Sequence, residues 1–211
     1  MMQNIIDTLN VSATGTTVAF ALMTLFVVAL VSRLGSRDNK VKKYCNNAKI
    51  NYEKTRDYCN AIIERDKANN FIYGIIQNAE DDKKNLLSNL KIIEVNSNNA
   101  IESCKIANDS CNEAIQIADN NKELNLSIDL KQIKTYGSIV VNSCSGVYNN
   151  CNNAIKIVNS DEFDITNSNT FSIDIFSNYQ NFFTNNRLIG DDCNNAISNC
   201  NKAISNCNKL I

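Results

Sequence analysis

The sequence predicts an all-α protein: a single N-terminal transmembrane helix, then an antiparallel up-down-up-down four-helix bundle with a Cys/Ala/Ile heptad core. Three observations predict it. No proline occurs in 211 residues. Proline inside a helix costs about 3 kcal/mol, so its absence suits long uninterrupted helices. Residues 11–31 carry no charge, and all nine cysteines fall on a seven-residue beat.

The membrane segment comes first. "VSATGTTVAFALMTLFVVALV" fills 11–31; at about 1.5 Å per helical residue it spans a hydrocarbon core of about 30 Å. The ten residues before it contain Asp7 and no Lys or Arg, unlike the basic start of a secretory signal. The collar Arg33, Arg37, Lys40, Lys42 and Lys43 follows. The positive-inside bias places that side in the cytosol. The expected organisation is a short segment 1–10, a transmembrane helix 11–32 and a bundle 33–211. The expected location is a membrane, crossed once, with the bulk of the chain on the cytosolic or topologically equivalent side. The lipid bilayer is the first expected partner, through residues 11–32.

Bundle helices are expected at about 37–77, 81–119, 127–158 and 187–211. The first carries Cys45, Tyr52 and Cys59 seven apart; the second Ser97, Cys104, Cys111 and Ala118; the third Gly137, Cys144, Cys151 and Val158; the fourth Cys193, Cys200 and Cys207. Between the cysteines, pairs such as Ala100/Ile101, Ala114/Ile115, Ala154/Ile155 and Ala196/Ile197 keep the i+3 and i+4 positions apolar. That stripe is one helix face. Its small residues allow close helix approach and bury less area each than leucine does. Antiparallel pairing with turns centred near 78, 124 and 172 stacks three layers. These are Cys45 with Cys111, Gly137 and Cys207; Tyr52 with Cys104, Cys144 and Cys200; and Cys59 with Ser97, Cys151 and Cys193.

Nine inward thiols read either as packing or as disulfides. Cysteines seven apart on one helix stand about 10.5 Å apart, so any bond crosses between helices. Thiolate layers also suit Cu(I), because soft ligands select it. In this the chain resembles the bacterial copper-storage four-helix bundles, which implies the alternative function of thiol-based Cu(I) binding or redox. It departs from them in spacing, two helical turns rather than one. No methionine follows Met23 and no histidine exists to pass metal in. No cofactor or metal site is expected.

The missing histidines exclude Ser-His-Asp, Cys-His and HExxH chemistry. The six glycines form no phosphate-cradling loop. The chain is therefore expected to be no enzyme, with no catalytic residue and no small-molecule substrate. A net charge of −1 argues against nucleic acid.

The stretch 159–186 breaks the heptad and gathers aromatics: Phe163, Phe171, Phe176, Tyr179, Phe182 and Phe183. Phe171, Ile173 and Ile175 alternate with polar residues as a short strand does. Phe71 and Tyr73, at the apolar end of the first helix, fall at the same end of the expected bundle. This membrane-distal tip reads either as a cap folded over the bundle or as a patch docking another protein, since aromatics anchor interfaces.

The apolar anchor, the basic collar Arg33–Lys43, the heptad cysteines, the Phe163–Phe183 tip and the Asn/Ile/Lys-rich composition form one layout. It resembles the membrane-anchored minor capsid and virion proteins of large AT-rich DNA viruses. That resemblance implies a structural protein of a virion's internal membrane, joining the membrane to a protein shell.

Overall fold

The structure, a computed structural model, describes the backbone of residues 2–74, 79–160 and 173–211. Within these it describes the side chains of 23–32, 34–69, 81–160, 180–182 and 184–211. The protein is all-α, with four long helices: α1 (Met2–Gly74), α2 (Ala79–Asn120), α3 (Leu124–Asn159) and α4 (Ile173–Leu210). The chain forms two compact units, Met1–Lys42 and Lys43–Ile211.

In the first unit, Met23, Leu25, Phe26, Val27, Val28, Leu30 and Val31 are all exposed. Consecutive residues on a helix point about 100° apart, so this apolar surface runs round the whole helix. Among the described residues no helix is long and apolar enough to cross a membrane; the side chains of 11–22, half of the expected transmembrane segment, lie outside them. The expected separate helices at 11–32 and 37–77 are one element, α1.

In the second unit the four helices pack antiparallel as an up-down bundle. Its seam is regular. Buried positions recur at alternating steps of four and three: Cys45, Ala48, Tyr52, Thr55, Cys59, Ile62, Asp66 and Asn69 on α1. On α2 they run from Leu86 through Leu90, Ile93, Ser97, Ala100, Cys104, Ala107, Cys111 and Ala114 to Ala118. On α3 they run from Ile133 through Gly137, Val140, Cys144, Val147, Cys151 and Ala154 to Val158. On α4 they run from Phe182 through Asn186, Ile189, Cys193, Ala196, Cys200 and Ala203 to Cys207. This is a heptad with two inward positions, the seam of coiled-coil-like bundles. In the Cys-x-x-Ala-Ile units, and in the Ser97–Ile101 unit of the same form, the alanine is buried, while Ile101, Ile115, Ile155 and Ile197 are half-exposed. The core is thus Cys/Ala with aliphatics, and most of the isoleucines of these units flank it.

α2 turns into α3 over Asn121, Lys122 and Glu123. Lys122 adopts a left-handed φ of 58°. The Glu123 N–H then reaches the Ala118 carbonyl at 3.0 Å, closing the end of α2. This turn centres on 122, not 124, and that shift changes the layers. Cys104 donates to the Gly137 carbonyl at 3.3 Å and Cys151 to the Leu90 carbonyl at 2.9 Å. Both contacts need α2 and α3 about half a heptad from the expected register. The thiols therefore do not stack three to a layer. Tyr52 lies against Gly137, and Cys59 meets Cys144.

α4 begins at Ile173, fourteen residues before the expected start at 187. Ile173 and Ile175 are helical rather than part of a strand; Phe171 lies outside the described residues. The Phe182–Asn186–Ile189 steps continue the seam pattern back toward this start.

Gly137 is needed where it stands. A Cβ there would lie 2.0 Å from Asn108 Oδ1 and 2.2 Å from the Tyr52 hydroxyl. Gly146 differs: its Cβ would meet Asp192 Oδ2 at 2.3 Å, the end of a side chain with room to swing outward. Urea denaturation of the full chain in detergent is expected to separate them. Gly137→Ala should destabilise by about 1–3 kcal/mol, through overpacking. Gly146→Ala should be near neutral, because the helix-propensity gain of roughly 1 kcal/mol offsets a small rearrangement.

Candidate functional site

Chemistry in this chain resides in the sulfurs. Cys45, Cys59, Cys104, Cys111, Cys144, Cys151, Cys193, Cys200 and Cys207 are all buried free thiols, with no disulfide between them. α1 to α4 each place them at seam positions, and the contacts order them along the bundle. Register and contacts together give a layer of Tyr52, Ala107, Gly137 and Ala203, largest against smallest. The next holds Thr55, Cys104, Val140 and Cys200. The layer after that holds Cys59, Ala100, Cys144 and Ala196, with the two sulfurs 3.8 Å apart across the bundle.

Burial decides their reactivity. It pushes the Cys45 thiol up to about 11 and is the main cause holding Cys111 and Cys151 near 12. It raises Cys104, Cys200 and Cys207 further. For Cys59 the contact with Cys144 favours the thiolate, but Cys193 and burial outweigh it and the net direction is up. Cys144 is raised by the Cys59 contact and then by burial. These groups stay protonated near neutral pH, and the thiolate is the nucleophile and metal ligand. Among the described residues no three cysteines or acids are placed to hold a metal ion.

Two polar clamps flank the thiols. Asn47 of α1 donates to Ser110 Oγ of α2 at 2.6 Å, and Asn51 donates back to the Asn47 carbonyl at 2.9 Å. Asn195 of α4 donates to Ser143 Oγ of α3 at 2.8 Å, and Asn199 to the Asn195 carbonyl at 2.9 Å. The pattern is the same in both. The donor Asn stands two residues after a cysteine, its helper four further on, and the serine directly before a cysteine of the next helix. Both donors lie in a "CNNA" unit, at 45–48 and 193–196, but the same unit recurs at 151–154, so the sequence alone does not mark the clamps.

A second polar group occupies the Asp66 end. Asp66, Asn69 and Asn186 hold seam positions, yet Asp66 Oδ1 and both polar side-chain atoms of Asn69 and Asn186 are buried without a hydrogen-bond partner among the described residues. The Asp66 carboxylate packs beside Gly190. Burial raises its pKa to about 6.

The other expected site residues divide. Phe182 is fully buried, an inward seam residue and not part of an open docking patch. Phe71, Tyr73, Phe163, Phe171, Phe176, Tyr179 and Phe183 have side chains outside the described residues, as does Arg33 of the collar. Lys40, Lys42 and Lys43 are exposed. Arg37 pairs with Asp38 at 3.0 Å. No family model matches the chain, and no characterised protein matches it at a significant level.

Two outcomes are expected. Asn47→Ala and Asn195→Ala should each cost about 1 kcal/mol. Double-mutant cycles with Ser110→Ala and Ser143→Ala should return a coupling of about the same size within each clamp and near zero between clamps. Asp66 generates a pH dependence. Its folded pKa lies above the unfolded value of about 3.9, so the stability it contributes is complete below pH 4 and is lost as pH rises through about 6. With solvent screening discounted, the loss between pH 4 and 7 should be roughly 1–2 kcal/mol. It should be absent in Asp66→Asn, as read from urea midpoints.

Proposed function

We propose that this chain is a non-enzymatic, single-pass membrane-anchored scaffold. Residues 11–32 sit in the bilayer, and the bundle engages a protein layer beside that membrane. One observation carries the reading: the exposed apolar surface of Met23, Leu25, Phe26, Val27, Val28, Leu30 and Val31 continues round every side of its helix. A helix apolar on all sides needs a protein core or a lipid core around it, and contiguous apolar surface of this kind is rare on a soluble protein. The uncharged run 11–31 gives it spanning length.

The basic collar supports a cytosolic orientation for the bundle. Protonated, enclosed thiols support a structural role over a catalytic one. The groove lined by Lys105, Asn108, Asp109, Ser138, Val141 and Asn142 is open to solvent, unlike the enclosed apolar clefts that hold small ligands. A location in a virion's internal membrane, with the aromatics of 163–183 other than Phe182 as the contact to a shell, is the specific form of this proposal that the layout favours.

Alkaline carbonate extraction of membranes from cells making the full chain tests it. The protein should stay with the membrane pellet, with the bundle open to protease added on the cytosolic side. Leu22→Lys with Leu25→Lys should move it to the supernatant, because each central lysine costs about 3 kcal/mol of insertion. Wild-type protein washed free by carbonate would end the proposal.

A further inference from the structure

The layer of Cys59, Ala100, Cys144 and Ala196 differs from its neighbours. Its other diagonal holds only methyl groups, and all four residues are fully buried or nearly so. Nothing bulky holds α1 and α3 apart there, and the Cys59 and Cys144 sulfurs touch at 3.8 Å. Other pairings are poorer. Cysteines on one helix are separated by two turns, about 10.5 Å, beyond the reach of a disulfide. Cys104 and Cys151 direct their sulfurs to backbone carbonyls of the facing helix. Cys111 has the Tyr52 hydroxyl as its polar neighbour at 4.0 Å. Cys193 and Cys200 also lie near Cys59, but its sulfur–sulfur contact at 3.8 Å is with Cys144.

We propose that Cys59 and Cys144 are a redox-closable pair, a disulfide site that ties α1 to α3 through the centre of the bundle. The oxidant is a small disulfide such as oxidised glutathione. In the first step the Cys59 thiolate attacks one sulfur of that disulfide, forming a mixed disulfide and releasing one small thiolate. In the second, the Cys144 thiolate attacks the Cys59 sulfur, forming the Cys59–Cys144 bond and expelling the second small thiolate. The two cysteine protons end on the two small thiols, so two protein thiols are oxidised and one external disulfide is reduced. The sulfurs close from contact to about 2.05 Å by side-chain rotation and a small approach of the helices. Because both thiols are enclosed, exchange runs through transient opening or during folding. Once made, the bond links residues 85 apart in sequence, a long loop whose closure strongly restricts the unfolded chain.

The test uses the full chain in detergent. It is equilibrated with reduced and oxidised glutathione in urea below the unfolding transition, then alkylated and digested for mass spectrometry. The expected result is a fall from nine alkylatable thiols to seven, a peptide pair joining Cys59 to Cys144, and a higher urea midpoint in the oxidised form. Cys193→Ala should still lose two thiols; Cys144→Ala should lose none. Nine thiols remaining at every glutathione ratio, or a bond mapping to Cys193 or any other cysteine, overturns the proposal. Should Cys144→Ala fail to fold, the mapped bond in wild-type and Cys193→Ala protein decides alone.

Discussion

Close approach of four helices along a seam of small side chains is the constraint on which the bundle rests. Ala48, Ala100, Ala107, Ala114, Ala154, Ala196 and Ala203 are completely buried, and all nine cysteines are within two percent of it, with Cys45 and Cys111 at that limit. Each such residue removes little apolar area from water compared with leucine. Stability therefore comes from many thin layers along four long helices and not from a few heavy ones. Where a large residue enters, the seam compensates locally. Among the described residues Tyr52 is the largest fully buried side chain, and it faces the seam glycine Gly137. Its hydroxyl leaves the core by donating to Asn108 Oδ1 at 2.9 Å, as a buried phenol requires.

Thin apolar layers alone do not select one register, since a slide of one heptad exchanges alanine for alanine. Polar groups at the seam do select it. Thr55 donates to the Asn51 carbonyl of its own helix at 2.9 Å and lies 3.3 Å from the Ala100 carbonyl of α2. Ser97 turns back to the Ile93 carbonyl at 2.7 Å. The two asparagine–serine clamps tie α1 to α2 and α4 to α3 at the same relative positions. A slide would break both and leave Ser110 and Ser143 buried without these partners. The Asp66, Asn69 and Asn186 group contrasts with this. Its atoms are buried and unsatisfied, so that end of the bundle costs free energy where the clamped middle gains it.

Much of this was legible in the sequence because helical periodicity is a local property. The cysteine beat located all four helices and predicted that every thiol points inward. The layers were less legible. A hairpin centre displaced by two residues moves the facing helix by half a heptad, and Lys122 gives no glycine-like signal for the left-handed turn it makes. The start of α4 was missed because Phe171, Ile173 and Ile175 alternate locally, whereas the Phe182–Asn186–Ile189 steps follow the bundle. The clamps were missed because asparagine is so common here that any one of them reads as solvated surface. Only the geometry separates Asn47 and Asn195 from their neighbours. Phe182 read as an anchor for a partner by composition, yet its position in the three-four rhythm, four before Asn186 and seven before Ile189, already placed it inside.

Why sulfur and not alanine throughout follows from the same seam. A thiol fills slightly more volume than a methyl group, and it brings a weak donor that alanine lacks. Cys104 and Cys151 use that donor on the Gly137 and Leu90 carbonyls, which already serve their own helices and have a second lone pair to offer. Serine at those positions would carry a stronger donor with a much larger desolvation cost. Cysteine thus links facing helices weakly at many points without leaving a costly polar group when one link is absent. Burial completes the arrangement. It suppresses the thiolate at sites such as Cys45, Cys104 and Cys151, so these sulfurs can be packed together with little exchange chemistry while the bundle stays closed. Reactivity then becomes a property of opening and not of any single residue.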